Sequence, residues 1–334
     1  MGARRRYREL IADPDILVMP GVYDALSARI AEASGFAALV AGGNAAVGAM
    51  LAGPDIGQSN MRDYADHYAR ICAAVEIPVS VDADTGFGDV HNVRQTVRSF
   101  EAAGVAGLMI SDQVFPNRCG YLAGKQVIPV EGMVAKIKAA LDARRDPDLV
   151  VIARTDAAGV NGLDDAIERA QLYREAGADV GRPQGVDTPE AIARAVREIP
   201  GPFFAILSQA AGRRRLDIPD LAALGAAAVT LPTLALYAAA RSVSRVFAEV
   251  KRTGSLAGVE GELLSLEDYY DLVGLPREQA REESYHEAAR RLVRGQNPAT
   301  RRERGLPEGG DHHGLRGDGP ALPAATGKTG AAPS

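Results

Sequence analysis

Between residues 16 and 252, short apolar and β-branched runs alternate with segments whose apolar residues recur at helical spacing. The runs predict strands over Ile16–Met19, Ala37–Ala41, Pro78–Asp82, Gly107–Ser111, Leu149–Ala153, Ala178–Val180, Phe203–Leu207 and Ala227–Leu231. A helical stretch follows each: Asp24–Ser34, Arg62–Val75, Asn92–Ala103, Val130–Arg144, Leu163–Ala176, Thr188–Glu198, Ile218–Leu224 and Leu234–Arg252. Gly35, Gly104, Gly177 and Gly225 each stand just before the next strand, where a left-handed C-cap and a tight turn call for glycine. Eight such units are the count of an α/β fold of the (β/α)8 TIM barrel type. The rival, a doubly wound sheet, would carry Gly-x-Gly-x-x-Gly after an early strand, and that motif is absent.

The barrel is expected over residues 10–254. Residues 255–294 are charged and helical in tendency (Leu264–Val273, Arg277–Val293) and read as a C-terminal helical extension that packs on the barrel or on a neighbouring subunit. Residues 295–334 hold 9 Gly, 5 Pro and no aromatic residue, and are expected to be a disordered tail. Thr-Gly-Lys-Thr at 326–329 resembles the end of a P-loop, but Leu322 stands where the first glycine belongs. His312 and His313 fall in the same tail and read as solvated.

Composition narrows the function classes. Apolar residues make up 46% and charged residues 24%, enough for a substantial core. With 38 basic against 43 acidic residues the formal charge is -5, which argues against a phosphate-backbone partner. Two cysteines, Cys72 and Cys119, make no disulfide framework and no zinc motif. The first eight residues are basic like the start of an export signal, but Asp13 and Asp15 follow and Pro20 interrupts the next apolar run. No segment reaches the ~20 apolar residues of a membrane span. The expectation is a soluble cytoplasmic protein with neither a nucleic-acid nor a membrane partner.

In a barrel the chemistry sits at the C-terminal strand ends. Those positions carry Gly42, Gly43 and Asn44; Asp82 and Asp84; Ser111, Asp112 and Gln113; Arg154, Thr155 and Asp156; Arg182 and Gln184; Ser208 and Gln209. Asp82 and Asp84, two apart, can lean into one mouth, where paired carboxylates need a cation or a shared proton. Oxygen ligands without His or Cys favour Mg2+ or Mn2+, while Asp-Ala-Asp-Thr-Gly can equally be a simple turn. Arg154 ends an apolar run and must face a carboxylate, either a ligand's or that of Asp156 or Asp112. Cys119 lies in a long loop, Ser111 to Pro129, a candidate lid, and Arg118 and Lys125 are expected to lower its thiol pKa. Cys72 reads as core. No lysine stands at a strand end, which counts against a Schiff-base aldolase.

Assembled, these stretches resemble the isocitrate lyase and phosphoenolpyruvate mutase superfamily, in particular its 2-methylisocitrate lyase and carboxyphosphonoenolpyruvate mutase branch. The resemblance runs from about Gly21 to Arg252 through Gly-Val-Tyr-Asp-Ala-Leu-Ser-Ala-Arg at 21, Gly-Pro-Asp-Ile-Gly at 53, Val-Asp-Ala-Asp-Thr-Gly-Phe-Gly at 81, Asp-Gln-Val-Phe-Pro-Asn-Arg-Cys-Gly at 112 and Ile-Ala-Arg-Thr-Asp-Ala at 152. It implies a barrel whose last helix is exchanged between subunits of a homo-dimer or homo-tetramer. It further implies Mg2+ on Asp82 with Asp84 and Asp55 in support, a substrate carboxylate held by Gly42, Gly43 and Arg154, and Cys119 as the acid that protonates a departing carbanion.

The chain departs from the family pattern at Leu39 and Ala41 on the second strand, Ser111, Tyr121, Gln184 and Ile206. These changes remove two carboxylates, a candidate base and several carboxylate-binding groups, so a tricarboxylate is expected to be poorly held. The first reading is a Mg2+-dependent carbon–carbon lyase for a methylisocitrate- or substituted-malate-like 2-hydroxy acid. Alternatives are an oxaloacetate decarboxylase, a mutase of the carboxyphosphonoenolpyruvate or phosphoenolpyruvate type, and a paralogue that binds a carboxylate without turnover.

Overall fold

A computed structural model of the chain describes residues 2–208 and 216–296. Eight short strands run parallel: β1 (Leu17–Pro20), β2 (Leu39–Ala41), β3 (Val79–Asp82), β4 (Gly107–Ser111), β5 (Val150–Thr155), β6 (Val180–Pro183), β7 (Phe204–Ile206) and β8 (Ala228–Leu231). Ladders join them in the orders β2-β3-β4-β5-β6 and β1-β8-β7, and a parallel bridge from Gly21 to Val40 links β1 to β2. This is the (β/α)8 arrangement expected from the pattern of runs. The helices between the strands are α2 (Ala25–Ala33), α3 (Gly43–Leu51), α4 (Met61–Ala74), α5 (Val90–Ala102), α6 (Val130–Ala143), α7 (Leu163–Glu175), α8 (Pro189–Glu198) and α9 (Ile218–Ala223), with α1 (Ala3–Ala12) before β1 and α10 (Leu234–Thr253) after β8.

Local chemistry explains where the helices begin and end. Asp24, Asn60 and Asp89 cap α2, α4 and α5, each in a reciprocal box with the residue three positions on. The four glycines expected before strands all have positive φ, from +88° at Gly35 and Gly225 to +106° at Gly177. Each ends a helix in the left-handed region that glycine enters without strain.

Two helices were not expected. The stretch opening α3 reads as a loop because glycines at 42, 43 and 48 depress helix propensity, yet the chain turns directly from β2 into a helix whose N-terminus faces the barrel mouth. The basic opening segment, which resembles an export signal, is α1, the plug of the opposite mouth. Tyr7, fully buried, enters the barrel floor with Leu17, Met19, Val150, Val180 and Phe204. Arg4 donates to the Val105 carbonyl at 3.0 Å and pairs with Asp146, and Arg8 pairs with Asp179 at 2.9 Å, so the arginines tie α1 to strand and helix ends.

Two strand boundaries matter for the site. β5 runs to Thr155, two residues past the expected end, and β6 runs Val180–Pro183 rather than Ala178–Val180. Arg154 and Arg182 therefore both lie in strands, as register partners across the β5–β6 ladder.

The chain divides into two compact units, with the boundary between Val273 and Gly274. The expected extension is thereby split: α11 (Leu266–Leu272) belongs to the first unit, whereas α12 (Leu275–Gln296) belongs to the second. Residues 297–334, with the expected tail, its histidines and the P-loop-like tetrapeptide, lie outside the described residues, as does Gln209. Among the described residues no helix is long and apolar enough to cross a membrane.

Truncating the plug at Tyr7→Ala empties a filled part of the barrel floor and is expected to cost about 3 to 5 kcal/mol of unfolding free energy, measured by urea titration. A loss below 1 kcal/mol would show that α1 does not close the barrel.

Candidate active site

At the C-terminal end of the strands a cavity of ≈ 490 Å³ is bordered by Gly42, Gly43, Asp55, Asp82, Cys119, Arg154 and Gln184. Seven of the eight residues expected at the site thus meet in one place. Asp84, the eighth, is not on the wall. β3 ends at Asp82, so the alternation that puts residues two apart on one face no longer holds, and Asp84 turns behind Gly43 with φ at +47°.

The three aspartates are held close by backbone. Asp82 Oδ1 accepts from the Asp84 amide at 2.9 Å, and its Oδ2 accepts from the Gly43 amide at 3.4 Å. A side chain at 43 is excluded, because a Cβ there would lie 3.1 Å from Asp84 Oδ1 and 3.3 Å from Asp82 Oδ2. Asp55, on the loop after α3, has a buried Oδ1 with no hydrogen-bond partner. Burial, then the charge of Asp82, pushes its carboxyl up to about 6, against the pull of Arg154. Burial and the charges of Asp82 and Asp55 raise Asp84 well above the usual carboxylate range. Among the described residues no three acidic, His or Cys side chains already form a closed metal cage.

Arg154 answers the question the sequence left open: its protein partner is Asp156. Nη2 donates to Asp156 Oδ1 at 2.9 Å, Nε lies 2.8 Å from Oδ2, and Nη1 reaches to within 4.0 Å of Asp82. Lys125 Nζ sits 3.0 Å from Asp156 Oδ1. Burial alone would raise the Asp156 carboxyl, but the two cations overcome it and hold it at about 2. Ser111 Oγ completes the cluster by donating to Asp156 Oδ2 at 3.1 Å. Asp112 is committed elsewhere, to Arg169 at 3.2 Å and to the Tyr173 hydroxyl at 2.8 Å.

Cys119 corrects an expectation. Its thiol pKa is raised, first by burial, with Asp55 and Asp82 adding to the rise. The neighbouring cations point away: Arg118 donates to the Ala123 carbonyl, and Lys125 is bound to Asp156 and the Gly120 carbonyl. A thiol that keeps its proton is an acid rather than a nucleophile. Its loop lies over the cavity, pinned by the Cys119 amide to the Asp55 carbonyl at 3.1 Å. A Cβ on Gly120 would come 2.6 Å from Arg154 Nη2 and 2.9 Å from the Gln184 amide.

Leu39 and Ala41, read as lost polar positions, point outward into the core between strands and helices, and the inward residue of β2 is Val40. Tyr121, Gln184 and Ile206 do face the cavity, with Met109, Ile152 and Phe204 as further apolar wall. Sequence reasoning missed the pairing of Lys125 with Asp156, which depends on a fold-back of the loop, and the depth to which Arg182 reaches.

Residues 7–251 match the family model described as phosphoenolpyruvate phosphomutase. The chain is 38% identical over 290 residues to 2-methylisocitrate lyase of Aeropyrum pernix, covering 87% of this chain and 93% of that protein. Among solved structures it resembles 2,3-dimethylmalate lyase, with a TM-score of 0.80 and 30% identity over 85% of this chain and 96% of that one. It also resembles phosphonopyruvate hydrolase in complex with oxalate and Mg2+, with a TM-score of 0.76 and 31% identity over 85% and 99%. The chain belongs to the isocitrate lyase/phosphoenolpyruvate mutase superfamily and is an enzyme of that class, a lyase or mutase.

Iodoacetamide should label Cys119 more slowly at pH 8 than an unstructured cysteine peptide, with a rate still climbing at pH values where the peptide's has levelled. Cys72, pushed up to about 12 by burial, stays silent in the same experiment. Faster labelling than the peptide would show that Cys119 is a thiolate.

Proposed function

We propose that the protein is a Mg2+-dependent carbon–carbon lyase that cleaves a 2-hydroxy acid of the substituted-malate or methylisocitrate type to a 2-oxo acid and a carboxylate. One observation carries this reading: the Cys119 thiol borders the same cavity as Arg154 and Asp82. A carbanion leaving a broken C–C bond needs a proton donor, whereas a decarboxylase or mutase acting on an oxo acid has no use for the thiol. The lyase names of two relatives point the same way.

The donor set fits a divalent cation. All candidate ligands are carboxylate oxygens, and Asp55 Oδ1 is buried without a partner. Mg2+ keeps most of its waters and needs one or two carboxylates directly, so a closed cage of side chains is not required. Asp82 would hold the ion, with Asp55 and Asp84 supporting it through water. Bound there, Mg2+ or Mn2+ supplies Lewis-acid stabilisation of a developing oxyanion.

The chain's own groups supply the rest. Arg154, clamped by Asp156, presents Nη1 to the carboxylate beside the substrate hydroxyl, and the start of α3 at Gly42 and Gly43 borders the same cavity. As a general base takes the hydroxyl proton, the O–H electron pair becomes the carbonyl of the 2-oxo acid. The C–C bonding pair passes to the neighbouring carbon, which takes the Cys119 proton and becomes the carboxylate product. Gln184 contributes an uncharged amide to the wall, and the loop above keeps water from the carbanion. Val40, Met109, Ile152, Phe204 and Ile206 give an alkyl substituent an apolar bed.

The same reading includes a homo-dimer or homo-tetramer. α10 is 20 residues long and buries none of them, leaving Leu234 (42%), Tyr237 (44%), Val243 (48%) and Phe247 (69%) exposed. An apolar helix face of this extent calls for a partner surface, and a second copy of the chain is the occupant.

With Mg2+, a panel of substituted malates should release pyruvate or a related oxo acid, chelation should stop turnover, and Cys119→Ser should lower kcat at least ~100-fold. Decarboxylation of oxaloacetate that survives Cys119→Ser supports the decarboxylase instead. Light scattering should give a multiple of 35.1 kDa, shifted toward monomer by Phe247→Asp; a monomeric wild type would contradict the assembly.

A further inference from the structure

Of the three buried arginines among the described residues, Arg154 and Arg169 pair with carboxylates, and Arg182 does not. Among the described residues no carboxylate lies within 4.0 Å of its guanidinium. Its contacts are with neutral groups: Nη1 reaches Met109 Sδ at 3.1 Å and Gln184 Oε1 at 3.4 Å, and Nη2 reaches Thr230 Oγ1 at 3.4 Å. Nε is buried with no partner. The residue is only 5% exposed. Burial, then the neighbouring Arg154, lowers its pKa only to about 10, which leaves it charged at neutral pH. An unpaired cation in a low-dielectric interior is costly and persists where something else supplies the counter-charge.

Arg182 also borders the cavity. It is the register partner of Arg154, so the two guanidinium stems rise from neighbouring strands, ~5 Å apart, into one space. That spacing is comparable with the span between the ends of a four-carbon diacid. Arg154 already shares Asp156; Arg182 has its charge free.

We propose that Arg182 is a specificity-determining residue that binds the second carboxylate of the substrate, the one carried by the carbon that leaves as the carbanion. The cavity then selects a 2-hydroxy diacid with an apolar substituent, with Arg154 on one carboxylate and Arg182 on the other. A monocarboxylic 2-hydroxy acid leaves Arg182 unpaired and binds weakly. The inference rests on the reading of the cavity as a 2-hydroxy-acid site, but its test does not need turnover.

The test compares malate with 2-hydroxybutyrate, which has a methyl group in place of the second carboxylate, by calorimetric titration in buffer containing Mg2+. Wild type should bind malate about 10- to 100-fold more tightly. Arg182→Met should erase that preference, Arg182→Lys should keep part of it, and ligand-free Arg182→Met should melt higher than wild type because an unpaired buried charge is gone. A wild type that does not prefer malate overturns the assignment. So does Arg182→Met with the preference intact; if that variant does not fold, an undiminished preference in Arg182→Lys overturns the assignment and a reduced or lost one supports it. A failed search for lyase turnover with the malate preference present and lost in Arg182→Met removes the lyase reading and leaves Arg182 as a diacid-binding residue.

Discussion

Three carboxylates that repel one another are kept within one buried corner of the barrel, and much of the local structure exists to hold them there. Asp82 raises the cost of ionising both Asp55 and Asp84, and Asp55 adds to that of Asp84. The backbone enforces the approach: the Asp84 and Gly43 amides grip Asp82, Asp84 takes a left-handed conformation, and position 43 has no room for a side chain. Such an arrangement stores strain and repulsion that a bound cation relieves. Arg154 offers partial relief at 4.0 Å from Asp82, but its charge is already shared with Asp156.

The second constraint is the balance of charge around Asp156. Lys125 and Arg154 both lean on it, so the loop bearing Cys119 and the end of β5 are joined through one buried carboxylate. Movement of that loop would separate Lys125 from Asp156 and draw Gly120 away from Arg154. Cys119, Arg154 and the loop over the cavity are therefore mechanically one unit. Arg182, beside Met109, Ile152, Phe204 and Ile206, gives the cavity a second cation where the altered positions of the sequence suggested only lost polarity.

Much of this was legible in the residues. The eight strands followed from apolar runs, and the helix ends from capping residues and glycines, because these signals are local. The strand-end rule collected Asp82, Arg154, Gln184 and the glycines of β2 without knowledge of their contacts. The misses have physical causes. α1 hid because an arginine-rich segment reads as a solvated or export sequence until Tyr7 is seen to fill the barrel floor. α3 hid because Gly43 packs against Asp82 and Asp84 and Gly48 against Leu236, tertiary contacts that override propensity. Leu39 and Ala41 were assigned to the mouth although strand alternation sends them outward. The thiol of Cys119 was judged by its sequence neighbours, whereas burial, with Asp55 beside it, decides its shift. Lys125 and the depth of Arg182 depend on a loop fold and a strand register that no short window contains.

The proposed cation site on Asp82 is tested most directly by calorimetric titration of Mn2+ into metal-stripped protein. One ion per chain is expected for wild type, with binding lost in Asp82→Ala while the variant's melting temperature stays at or above that of the stripped wild type, since a repelling charge has been removed. Absence of binding to the wild type, or binding undiminished by Asp82→Ala, would contradict a site built around these carboxylates.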